Sequence, residues 1–305
     1  MLSLLLFQQI AQMFIALIMG WAIVRSGLMK PSDSKVLSML ALYVIFPCTI
    51  VNSFQIELTA GRLQGMLLAL LAAVVTHAVF FVLTALFNRP LRLTPVEQAS
   101  VIYSNAANLT IPIVTNILGS EYVIYISMYV IVQQLLLWSH CRLLLSGENQ
   151  FSLKRVLLNV NIISIAVGAA LFFLGSPLPG IVRGALQSVG SMIGPLCMIV
   201  AGMLMGGVDL RALVKNPGVW KVSLLRLAVF PLAVLCVLKF SGIARLAPDG
   251  GTILMVSLLS STTPPAAAVT QLAQVYSGDG EYAGAVNVIA TLLCLVTVPI
   301  ISMFF

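Results

Sequence analysis

The chain has 305 residues, of which 60% are hydrophobic and only 8% charged, and its mean hydropathy is +1.08. A soluble domain carries about 25% charged residues, so this composition excludes a soluble enzyme and describes an all-α protein that crosses a bilayer many times. The net charge of +7 is then read through topology, not as a nucleic-acid patch.

A helical span needs about 20 apolar residues. By that measure the sequence predicts ten: 4–24, 36–55, 66–87, 96–118, 122–145, 157–174, 184–206, 219–240, 251–275 and 282–304. Met1 to Phe7 hold no basic residue and no small-residue cleavage site follows, so the first is read as a retained span and not a signal peptide. The longest charged connection, 146–156, divides the chain into residues 1–150 and 151–305, with five spans each. Eleven Lys and Arg residues fall in the connections after spans 1, 3, 5 and 7, against four (Arg62, Arg183, Lys239, Arg245) on the other side. The odd connections are therefore expected in the cytoplasm and both termini outside. An odd number of spans per half makes the halves enter the membrane in opposite senses.

That arrangement invites an inverted repeat, and the sequence echoes one at several places. Ile45-Phe46-Pro47-Cys48 in span 2 is matched by Ile193-Gly194-Pro195-Leu196-Cys197 in span 7. Glu121-Tyr122 opening span 5 is matched by Glu281-Tyr282 opening span 10. Span 4 carries Ser104-Asn105-Ala106-Ala107-Asn108-Leu109-Thr110-Ile111-Pro112, and span 9 carries Ser260-Ser261-Thr262-Thr263-Pro264-Pro265. Proline removes a backbone donor and clashes with the carbonyl four residues back, so both helices must kink or break. In lipid each freed backbone group costs several kcal/mol unless protein or a water-filled cavity satisfies it. Two Pro-interrupted spans in corresponding halves are the strongest sequence pointer to a transport site.

The chemistry expected there needs little formal charge. The N-terminus of a broken helix presents free N–H groups and about half a positive charge, which suits a carboxylate. Asn105, Asn108, Thr110 and Pro112 are the candidate binding residues from span 4, Thr262, Thr263 and Pro264 those from span 9, and Asn52 one from span 2. No Asp or Glu lies near a span centre, which argues against a carboxylate proton relay. His77, midway along span 3, is the central group that titrates near neutral pH, and is the candidate for proton or anion coupling. Arg226 is expected either to snorkel to the interface or to attract anions. Of the adjacent Gln133 and Gln134, at most one is expected to face the cavity. The five cysteines form no C-x-x-C pair, and no H-E-x-x-H occurs, so neither metal, cofactor nor catalysis is expected.

Together these motifs resemble the auxin efflux carriers in a compact bacterial form, over nearly the whole chain. The resemblance rests on Gly20-Trp21 through Arg25-Ser26-Gly27-Leu28, Leu42 to Pro47, Asn105 to Pro112, Pro195-Leu196 through Leu204, Pro264-Pro265-Ala266, and Thr291-Leu292-Leu293 through Pro299. It implies ten helices in two inverted five-helix repeats, with broken helices 4 and 9 crossing near the midplane. It also implies transport of small organic anions such as auxin-like acids, malonate or malate; alternating access is the expected mechanism, and the lack of a carboxylate near a span centre favours efflux. By motif position Asn105 matches the asparagine that meets the substrate carboxylate. The implied setting is an inner membrane, with the anion and the bilayer as partners, a homodimer left open and no nucleic acid. A sodium- or proton-coupled symporter of the bile-acid-carrier type is the alternative.

Overall fold

Proline and small residues decide where these helices bend and how closely they pack. The computed structural model describes residues 2–55, 59–147, 154, 157, 158, 160–207, 215–277 and 279–305. Among them helices joined by short turns make up the chain, with one antiparallel bridge between Ser104 and Pro265. The first half holds α1 (Leu2–Arg25), α2 (Ser34–Leu40), α3 (Phe46–Ser53), α4 (Ala60–Leu91), α5 (Pro95–Ile102), α6 (Ile111–Ile117), α7 (Val123–Leu136) and α8 (Arg142–Ser146). The second holds α9 (Val160–Phe173), α10 (Gly180–Gly190), α11 (Ile193–Gly206), α12 (Pro217–Leu224), α13 (Phe230–Phe240), α14 (Gly250–Ser261), α15 (Ala267–Leu272) and α16 (Gly280–Ser302).

Among the described residues, four continuous stretches are long and apolar enough to cross a membrane: Ala60–Leu91, Ser120–Ser146, Gly180–Gly206 and Pro217–Phe240. Tyr282–Cys294 with Val296–Ser302, bent by 53°, makes a fifth. Shorter apolar helices, among them Tyr43–Ser53, Val160–Phe173 and Gly250–Ser261, lie where other spans were expected, but each is too short to cross a membrane by itself. Several helices are jointed by π turns, at Ala41–Ile45, Ala106–Thr110, Leu137–Cys141, Leu225–Val229 and Ala273–Ser277. Three of these end two residues before a proline: Pro47, Pro112 and Pro231. A π turn adds one residue to the loop and shifts the carbonyl that a proline ring would strike, so the helix bends without breaking.

The packing follows the glycines. α1 lies along α11, and a side chain on Gly202 would collide with the Leu17 carbonyl, one on Gly206 with Val24, and one on Gly20 with the Ile199 carbonyl. Gly202 and Gly206 form the small-x-x-x-small spacing that lets membrane helices approach backbone to backbone. α3 packs on α9 and α10, with the Phe54 ring in the space left by Gly168 and the Thr49 hydroxyl donating to the Gly190 carbonyl at 3.3 Å. α4 packs on α7 and α14, and α12 on α16.

Contacts between connecting segments hold helix ends together. Pro31 fills the space beside Gly207. Lys221 pairs with buried Glu97 at 2.8 Å, and the Tyr282 hydroxyl donates to the same carboxylate at 2.8 Å. Leu178 N–H donates to the Gln55 side chain at 2.8 Å, and Pro248 faces Gly61.

Candidate functional site

The two interruptions read from the sequence meet in space. α5 ends at Ile102, and Tyr103 turns extended (φ −96°, ψ 119°). α14 ends at Ser261, and Ala266 is extended (φ −60°, ψ 134°). The extended pieces pair as a minimal antiparallel ladder: Asn105 N–H donates to the Pro264 carbonyl at 2.8 Å, and Ala266 N–H to the Tyr103 carbonyl at 2.9 Å. Ser104 and Pro265 face each other between these bonds, in the kind of pair that exchanges no hydrogen bond. The donor that Pro265 lacks is thus not needed there, while a residue before proline is already biased to extended backbone.

Other backbone groups at the breaks are met by side chains, as burial demands. The Gln133 amide clamps Ser104: its Nε2 donates to the Ser104 carbonyl at 2.7 Å, and its Oε1 accepts from the Ser104 N–H at 3.1 Å and hydroxyl at 2.6 Å. Asn287 on α16 donates from Nδ2 to the Pro265 carbonyl at 2.8 Å. Arg226, within the π turn between α12 and α13, is fully buried and donates to the carbonyls of Val101, Ser261 and Thr263 at 3.0, 2.9 and 2.9 Å. It does not snorkel. The π turn and the carbonyls at the two helix ends draw its guanidinium inward, where it also lies 5.0 Å above the Phe80 ring centre.

Beside the paired breaks lies a cavity of about 130 Å³. Its apolar wall includes Phe46, Ile50, Met198 and Leu204, and its polar groups come from Asn105, Gln134, Asn161, Asn287 and Thr291. Asn105 and Gln134 are half-buried, and their side-chain amides make no hydrogen bond to the described residues. Both neighbouring glutamines border this cavity, where at most one was expected. Gln133 reaches the wall because Ser104, which it clamps, is itself part of that wall.

The other sequence candidates are placed as follows. Thr262 and Thr263 are buried, and their hydroxyls donate back to Leu259 and Ser260 of their own helix at 2.8 and 3.1 Å, outside the cavity wall. Such back-bonding is the usual resort of Ser and Thr in a membrane helix. Pro264 contributes its carbonyl to the ladder. Thr110 is buried with its hydroxyl unpartnered among the described residues. Asn52 is half-buried, with Oδ1 unpartnered and outside the wall. The side chains of Asn108 and Pro112 lie outside the described part of the structure. His77 is buried on α4, with Nδ1 2.8 Å from the Ala73 carbonyl, its ring centre 4.9 Å from that of Tyr129, and Nε2 unpartnered. It does not line the cavity; the Tyr129 hydroxyl, 3.2 Å from the Ser104 hydroxyl, connects its surroundings to the break. Asn287 and Asn161 escaped sequence reasoning, because each stands alone in an apolar span, whereas Asn105 was marked by the polar, Pro-interrupted stretch around it.

The chain has no significant match among curated proteins. The family model described as membrane transport protein matches it twice, over residues 5–155 and again over 146–302. One model fitting each half in turn accords with two related units whose breaks meet at one ladder. The chain belongs to the membrane transport protein family, that of the auxin efflux carriers, and is a multi-pass membrane transporter.

Proposed function

We propose that the protein carries a small organic anion through the cavity beside the paired breaks by alternating access, and that it works as an exporter in an inner membrane. In this reading residues 1–150 and 151–305 are inverted five-helix repeats, ten spans in all, with both termini on the outer side. The observation that carries it is a cavity at two helix breaks whose polar wall consists of uncharged amides and hydroxyls, with Asn105 and Gln134 free to donate. An amide binds a carboxylate without holding it so tightly that it cannot leave, and the segments that follow the breaks add their N-terminal N–H groups. α1 packs on α11, α3 packs on α9 and α10, and the π turn at Ala41–Ile45 touches α9, α10 and α11, which supports one bundle that rocks against the remainder. Bound anion lowers the cost of closure only through contacts that differ between the two states.

The test is transport of small labelled carboxylates into and out of proteoliposomes. Asn105→Ala is expected to keep the melting temperature of the wild type and to lower kcat/KM about 10- to 100-fold, the worth of one hydrogen bond to a charged group. Unchanged saturable transport by the variant would refute the site.

A further inference from the structure

Behind the ladder, three main-chain carbonyls converge. Val101 supplies one from the last turn of α5, Ser261 one from the end of α14, and Thr263 one from the extended break. Helix C-termini carry partial negative charge, and unwound carbonyls with half-helix C-termini are the donor set on which transporters bind a coupling cation. Here the position is filled from within the chain. The Arg226 guanidinium spends its Nε, Nη1 and Nη2 on these three oxygens, at 2.9, 3.0 and 2.9 Å. Its face is covered by Phe80 and it is fully buried. Its hydrogen bonds go to carbonyls alone. Buried Glu97 is engaged elsewhere, by Lys221 and Tyr282.

We propose that Arg226 is a tethered substitute for a coupling cation, permanently seated in the carbonyl cluster where α5 and α14 end, so that this cluster takes no sodium ion during the transport cycle. The proposal rests on the transporter reading above and sharpens it: the positive charge that balances the anion belongs to the protein and does not travel. A planar fork suits the task, because it meets three fixed oxygens at once, as a lysine ammonium on a flexible stem does not. Opening the cluster by removing the side chain should leave a vacancy shaped for a free guanidinium ion.

The test compares thermal unfolding of purified wild type and Arg226→Ala in sodium chloride, choline chloride and guanidinium chloride at equal ionic strength, each at about 10 mM, far below denaturing concentrations. The wild type is expected to melt within about 1 °C in all three. Arg226→Ala is expected to melt about 5 °C lower or more, from the orphaned carbonyls, and to recover at least about half of that loss in guanidinium but not in choline. Arg226→Lys, which keeps the charge and loses the fork, should fall between the two proteins. A wild-type melting temperature that rises with sodium overturns the proposal, as does Arg226→Ala or Arg226→Lys melting with the wild type, or a loss in Arg226→Ala that guanidinium does not repair. The wild-type comparison and Arg226→Lys keep the proposal testable if Arg226→Ala does not fold. None of these measurements uses a substrate, so failure of the anion-transport reading would appear in the Asn105 experiment and leave these results standing.

Discussion

Gln133 and Gln134 are neighbours of one residue type on one helix, yet the structure assigns them opposite work. The Gln133 amide is consumed by both backbone groups and the hydroxyl of Ser104, while Gln134 faces the cavity with its amide free among the described residues. Truncation should separate them. Gln133→Leu leaves a buried N–H and a buried carbonyl unmet, at about 1–3 kcal/mol each, and is expected to lower the melting temperature in detergent by several degrees. Gln134→Leu orphans nothing and is expected to melt with the wild type while weakening carboxylate binding, read by the loss of ligand-induced thermal stabilisation. If Gln133→Leu melted with the wild type, the clamp would not be a structural necessity. If Gln134→Leu kept full ligand stabilisation, its amide would not reach the substrate.

At the scale of elements, close packing of α1 on α11 and the jointing of helices set the frame. Gly202→Val would push a branched side chain into the Leu17 carbonyl and force two backbones apart. Losing that packing is expected to cost about 1–3 kcal/mol, the usual range for overpacking, and to appear as a lowered melting temperature and a smaller folded yield. Val at an exposed helix position such as Gly184, where a side chain would meet nothing within 4 Å, is the control. The sequence made some of this legible and hid the rest for identifiable reasons. The break at Pro264-Pro265 was readable because proline cannot continue an apolar helix, whereas the break in span 4, expected near residues 108–112 from Pro112, lies at Tyr103–Asn105, because the π turn at Ala106–Thr110 accommodates that proline. The π turn at Leu137–Cys141 was not readable, because no proline accompanies it and its residues are ordinary helix formers. Asn105 was found from its own neighbourhood. Gln133, Asn287 and Arg226 were not assigned their roles, because each answers a backbone group more than 20 residues away, and local pattern carries no record of which carbonyl is left without a partner.

For the whole molecule, the decisive quantity is charge moved per cycle. Arg226 stays with the protein, no carboxylate partners it among the described residues, and the cavity wall offers amides in place of ionised groups. A monovalent anion that crosses without a coupled ion then moves one net charge. An inside-negative potential favours its exit by about 2.3 kcal/mol per 100 mV, close to a 50-fold ratio at equilibrium. Proteoliposomes clamped with a potassium gradient and valinomycin test this directly. At about 100 mV the steady-state distribution of a monovalent carboxylate is expected to shift about 50-fold toward the positive side, and to reverse when the gradient is reversed. Symport with one proton or one sodium ion would be electroneutral and leave the distribution unmoved by voltage. A flat response would therefore remove the export reading, while a full response would explain how the protein can drive anions outward through a cavity walled by uncharged polar groups.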